Sequence, residues 1–311
     1  MDPALPPADP ASPPADLRGQ RSLDAALLVL SPLVRWLLRN GVNYGALAQG
    51  LKQVFLDQGR QELQLRGSKV TDSALSVLSG VHRKDVRALG GLPLAQVPLQ
   101  PSPASMVFTR WITDARLREI GPDGQQRPRQ MLLRQGDWPS FESLAREVSS
   151  DVHPRTLLDE LLRLGLVELR GEEVSLRRER FVPDAAELEA AQTLAVNVAD
   201  HLRAAVPNLG ANDGMKLLEQ SVYASGLSEA SARELGELAR ELWTGAFDAM
   251  VREATGRWQE DEARRGRGED LGEPVRMRFG AYFYREQELE EPATADRAAA
   301  AQANRGAGDA A

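Results

Sequence analysis

Apolar residues along the chain recur mostly three and four positions apart, and the elements they predict are mainly helical. Over residues 23–38 Leu, Val and Trp keep helical spacing. Asp24 stands near the start and Asn40-Gly41 just past the end, so a helix stopped at a glycine is expected. Residues 44–57 repeat the pattern through Tyr44, Leu47, Ala48, Leu51, Val54 and Phe55, with Gly59 following. Residues 72–79 and 82–89 form two short helical periods separated by Gly80-Val81. Residues 90–105 are rich in Gly, Pro and Ser and read as a connector. A second stretch opens with a helix over 107–120 and a polar loop over 121–129. Helices follow over 140–148 and 154–164, and then residues 166–176 alternate around Gly171 as a β-hairpin does. Beyond Pro183 the pattern predicts helices over 185–205, 214–225 and 231–257. In the segment 275–284, Val275, Met277, Phe279, Ala281 and Phe283 share one face, as in a strand.

These elements define a mainly α fold. It has tandem helix-turn-helix and winged-helix units with a small β-wing, then a C-terminal helical region ending in a β-strand. The expected domains are a disordered leader (1–21), a helix-turn-helix domain (22–95), a linker (96–105) and a winged-helix-like domain (106–183). A helical C-terminal region (184–289) and a disordered tail (290–311) complete the frame. Leader and tail are rich in Pro, Ala and polar residues. The leader lacks the basic and apolar regions of a signal peptide. The apolar run 25–38 is too short for a bilayer and is broken by Pro32 and Arg35. The expectation is a cytoplasmic protein with no membrane partner, associated with the nucleoid if it binds DNA.

Composition sharpens this. The 311 residues contain no Cys and three His, and the net charge is -7. Disulfides, thiolate zinc sites, iron–sulfur clusters and a cysteine nucleophile are excluded. His82, His153 and His201 lie far apart in sequence, so no metal and no cofactor are expected. No dinucleotide fingerprint, phosphate-binding P-loop, zinc-protease helix or serine nucleophile elbow occurs, and no enzymatic activity or catalytic residue is expected. The charge is uneven. Residues 22–95 carry nine Lys or Arg against five Asp or Glu, residues 96–183 thirteen of each, and residues 184–311 fourteen against twenty-four. A basic segment in an acidic chain points to nucleic-acid contact by that segment.

The chemistry concentrates in TDSALSVLSGVHRKDVRAL, residues 71–89. Leu75, Val81, Val86 and Leu89 fall where two crossed helices meet. Ser76 is small enough for close approach, and Gly80 frees the tight turn. The second helix then exposes His82, Arg83, Lys84 and Arg87 to a major groove, and Arg66 and Lys69 stand upstream for phosphates. Asp85 sits among the basic residues. In the second unit Ser140 and His153-Pro154 start two helices that run into the hairpin. Arg155, Thr156 and Arg163 offer a possible secondary contact, mixed with Asp159 and Glu160. The aromatic segment near the end, with Tyr282 and Tyr284, reads as a strand covering a core rather than a base-stacking platform.

The strings SPLVRWLLRNGVNYGALAQGLKQVF, VTDSALSVLSGVHRKDVRAL, FTRWITDARLRE, SFESLAREVSSDVHPRTLLDELLRLGLVE and FGAYFYRE stand in this order. Together they resemble a proteobacterial family of unknown function, DUF6502, with an N-terminal helix-turn-helix, over residues 23–286. The resemblance implies a helix-turn-helix start and a regulatory role, and carries over Arg83, Lys84 and Arg87. The leading expectation is therefore a transcriptional regulator that binds double-stranded DNA. A homodimer or protein partner would use the acidic C-terminal helices. The alternative is a tandem winged-helix protein-interaction module of a chromosome-associated or regulatory assembly. A regulator that senses a small molecule through the C-terminal helices is a third reading, and no polar constellation defines its ligand.

Overall fold

The computed structural model describes residues 15–90, 101–122, 124–177, 185–210 and 216–287. Among them are nine α-helices and two small antiparallel sheets. The chain divides into two units, residues 1–183 and 184–311.

The first unit begins with α1 (Ala15–Arg39), α2 (Tyr44–Leu65), α3 (Asp72–Ser79) and α4 (Arg83–Leu89). Helix α1 takes in residues 15–21, which were expected in a disordered leader. The Pro-rich run stops at Pro14, and ADLRGQR offers no further barrier to helix. Residues 1–14 of that leader lie outside the described residues. At its other end Gly41 has φ 75. Gly41 N–H donates to Leu38 O and Val42 N–H to Leu37 O, the paired closure of a helix at a left-handed residue. Helix α2 runs eight residues beyond the expected end. Leu56 sits at its buried centre with Leu75 of α3 and Val86 and Leu89 of α4, flanked by Leu63 and Val81. Each such side chain contributes about 1.5–3 kcal/mol by leaving water.

After the connector, of which residues 91–100 are outside the described set, α5 (Pro103–Thr113) starts earlier than expected. Ser102 caps it and Pro103 fills the first position. It also ends earlier. Asp114 takes the amide of Arg116 with its carboxylate, a short 3-10 turn follows, and the chain turns into β1 (Arg118–Ile120). The expected polar loop is in part β2 (Gln126–Pro128), paired antiparallel with β1. Then come β3 (Met131–Leu133), α6 (Phe141–Val148), α7 (Pro154–Arg163), β4 (Val167–Arg170) and β5 (Glu173–Leu176). The hairpin β4–β5 gains β3 on its other edge, giving the order β3-β5-β4. Ser140 and Ser143 form a reciprocal cap for α6, and His153 caps α7. The core of this half holds Trp111, Leu117, Leu132, Phe141, Leu144, Leu161 and Val174, all nearly free of solvent. The Trp111 indole N–H donates to Arg129 O at 2.9 Å, so this large ring is buried without an orphaned donor.

The second unit contains α8 (Ala185–Asn208) and α9 (Glu229–Gly266). The helix expected over 214–225 does not form in its described part, residues 216–225. There the Asn208 side chain takes the Leu217 N–H and donates to the Leu217 carbonyl, both at 3.0 Å. The Leu217 backbone groups are thus given to α8 instead of to a local helix. The strand expected over 275–284 joins no ladder among the described residues. Its contacts still alternate: Arg276, Arg278 and Tyr282 meet α8, while Phe279 and Phe283 meet α9. The disordered tail expected from residue 290 lies outside the described residues.

Candidate nucleic-acid interface

The basic face is built from the α3–α4 pair. Thr71 accepts the Ala74 N–H and caps α3, and Asp72 occupies the first turn, where a carboxylate suits the helix dipole. Two serines hold the connection. Ser79 Oγ donates to Leu75 O and accepts from Val81 N–H, while Ser76 Oγ donates to Val81 O at 2.8 Å. Gly80 stands between them at φ 73, with its amide on Ser76 O at 3.0 Å. Open space surrounds the position a Cβ would take at Gly80, so the constraint there is the backbone alone. Gly80→Ala is expected to cost about 1–2 kcal/mol, the penalty of a left-handed L-residue. The urea midpoint of the α3–α4 region reads it, and an unchanged midpoint contradicts the assignment.

His82 caps α4, its Nδ1 accepting the Lys84 N–H at 3.2 Å. Arg83 and Lys84, the first two residues of α4, are exposed and form no ion pair among the described residues. Arg87, one turn on, is 67% exposed and touches Asp72 of α3 at 3.3 Å. An exposed pair of this length is weak, and phosphate competes with it readily. His82, Arg83, Lys84, Arg87 and Ala88 together line a shallow depression along the helix.

Asp85, the one acid of α4, is drawn out of this set. Its carboxylate accepts from Lys52 Nζ of α2 at 2.8 Å, and this hydrogen bond holds its pKa below the usual carboxylate range. Lys52 thus neutralises the residue that most opposes an anion, and ties α4 to α2. Sequence reading missed this role, because the pair spans 33 positions and nothing local marks it. Of the expected phosphate contacts, Arg66 is bonded to Glu62 at 2.6 Å, and Lys69 is exposed with no ion pair among the described residues.

The second half of the unit differs. Arg155 and Thr156 lie exposed on α7. Arg163 is engaged by its neighbours. It bonds Glu160 in two places at 2.6 Å and donates to Leu38 O, at the C-terminus of α1, at 2.8 Å. A guanidinium there satisfies a terminal carbonyl and the negative end of the helix dipole. Glu160 bonding raises the Arg163 pKa further. Around the β-hairpin, Arg170 and Arg177 pair with Glu168, and Arg134 with Glu172. Between α5 and α6, Arg116 bridges Asp114 and Glu147 and stacks 4.3 Å from the Trp138 ring. These charges are paired with one another, and among the described residues the buried Arg134 Nε is left without a hydrogen-bond partner. The Asp114 carboxyl is held far below its ordinary range by Arg116 first and Arg110 after it.

Among the described residues no group of three His, Asp or Glu is placed to hold a metal ion. No described helix is long and apolar enough to cross a membrane. The chain belongs to a family of unknown function, DUF6502, whose model matches residues 20–293, close to the 23–286 of the resemblance. Neither a curated protein nor a solved structure matches the chain significantly.

Proposed function

We propose that the protein binds duplex DNA as a transcriptional regulator, with α3 and α4 acting as a helix-turn-helix and α4 entering the major groove. The carrying observation is the charge arrangement of α4. Among the described residues Arg83 and Lys84 face solvent without ion-pair partners, Arg87 is held by one exposed pair, and Asp85 is bonded back to Lys52. A helix that presents its N-terminal cations outward and ties its one carboxylate inward favours an anionic partner. Arg and Lys donors at the start of such a helix suit phosphates and the O6/N7 edge of guanine. Lys69 adds a phosphate contact, and Arg66 does so by exchanging Glu62 for phosphate.

We read α5, β3, α6, α7, β4 and β5, with the β1–β2 hairpin inserted between α5 and β3 and the sheet order β3-β5-β4, as a winged helix. We read this half as a module that faces protein, because most of its described arginines are paired with its own carboxylates. Any added contact to DNA would rest on Arg155 and Thr156.

Titration of a labelled duplex with the full chain at several salt concentrations tests the reading. The expected result is binding whose logarithm falls linearly with log salt, with a slope of about -2 or steeper. No binding at low salt, or binding indifferent to salt, overturns it.

A further inference from the structure

The described residues of the second unit form almost no interior. Among its described residues Gly236 is the one that is buried. On α9, Leu235, Leu238, Leu242, Phe247, Val251 and Trp258 keep between 41% and 66% of their surface in water. Exposed apolar surface on this scale does not offset the entropy of ordering two long helices. Something else closes this unit.

The segment 275–285 indicates what. Arg276 binds the Asp200 carboxylate of α8 through both Nη atoms, at 2.7 and 2.8 Å. Arg278 reaches Asp200 and Asn197, and the Tyr282 ring lies 5.7 Å from His201. These are even positions. At odd positions, Phe279 packs on Trp243 of α9 with centroids 5.5 Å apart, Phe283 covers Gly236 and Arg285 pairs with Glu229. From residue 279 to residue 285 the segment follows α9 from Trp243 back to Glu229, about 21 Å of helix. Six residues cover that length only when nearly fully extended. The segment thus runs extended, with the side-chain period of a strand and contacts to a helix on each side.

No backbone–backbone hydrogen bond joins 275–283 to any described residue. The segment's side chains stay largely in water, Val275 at 93%, Met277 at 58% and Phe283 at 50% exposed, and an extended segment with open edges and half-exposed apolar residues is a template for pairing with another strand. The sequence is complementary to itself. An antiparallel pair of copies centred on Phe279 sets Val275 opposite Phe283, Met277 opposite Ala281, Arg276 opposite Tyr282 and Glu273 opposite Arg285. A centre at Arg278 would set that arginine against itself, and a centre at Gly280 would part Glu273 from Arg285. A two-fold strand pair also brings together two sets of half-exposed α8 and α9 side chains, giving an isologous interface.

We infer that the second unit is completed by a second copy of this chain, the two pairing antiparallel through residues 275–283 about Phe279. The acidic charge of residues 184–311 opposes this association, so the dimer tightens as salt is added.

The test uses the full chain, which has no cysteine of its own. Sedimentation equilibrium is expected to give twice the chain mass of 34.0 kDa. Phe279→Cys, at the two-fold centre, is expected to form a covalent dimer on mild oxidation. Val275→Cys is expected not to, because the two Val275 positions stand about 27 Å apart in that register. Since Phe279→Cys loosens a packed ring, hydrogen exchange of the unmodified protein is the second readout. Alternate amides of 275–283 should be protected at high concentration and lose protection on dilution. A monomer under all salt conditions, cross-linking at 275 as fast as at 279, or a dimer whose 275–283 amides exchange freely each overturns the proposal.

Discussion

Arg83→Ala combined with Lys84→Ala is expected to weaken duplex binding at least tenfold per residue and to flatten the salt slope by about two. These two side chains open α4, face solvent and form no ion pair among the described residues, so their removal costs the fold almost nothing. The urea midpoint should stay within about 0.5 kcal/mol of the parent, as for ordinary surface changes. Stability and binding therefore separate in this variant. Lys52→Ala has a different signature. It frees Asp85 on the basic face and loosens α2 from α4, so both binding and stability fall. If the double variant binds with the affinity and salt slope of the parent, α4 is not the contact surface.

The second large effect lies in the fold. Trp111→Ala is expected to cost about 3–5 kcal/mol, the usual loss for a buried aromatic in a tight core. Trp111 is fully buried among Leu117, Leu132, Leu144 and Leu161, lies 6.2 Å from the Phe141 ring and satisfies Arg129 O through its indole nitrogen. Trp111→Phe keeps most of the ring contact but leaves that carbonyl without its donor. Its cost should be near 1–3 kcal/mol, the penalty of an unpaired buried polar group. Denaturant melts monitored within residues 101–177 check both values. A loss under about 1 kcal/mol for the alanine variant would contradict this packing.

What could be read from the sequence, and what could not, follows from the range of the interactions. Helices α3, α4, α6 and α7 start and stop as expected because their signals are local. Thr71, His82, Ser140 and His153 cap them, and Gly80 lies immediately beyond one end. The hairpin β4–β5 was equally legible from its alternation about Gly171. Strands β1, β2 and β3 were not, since three residues with at most one buried side chain carry no period. The partners of the basic residues were hidden for the same reason. Lys52 meets Asp85 across 33 positions, and Arg163 meets Leu38 across 125. Residues 275–284 show the opposite case. Their strand pattern was plain, yet no backbone–backbone hydrogen bond joins 275–283 to another described segment. A strand period whose apolar side chains stay half in water and whose edges are open is information about assembly, which one chain does not contain.

The central claim is that α4 reads duplex DNA, and selection of bound duplexes from a random pool by the full chain tests it most directly. The account predicts that the recovered sequences share a site, and that the Arg83→Ala, Lys84→Ala variant fails to enrich it. Recovery of the pool unchanged by the parent protein, or equal enrichment of the same site by both proteins, would contradict it.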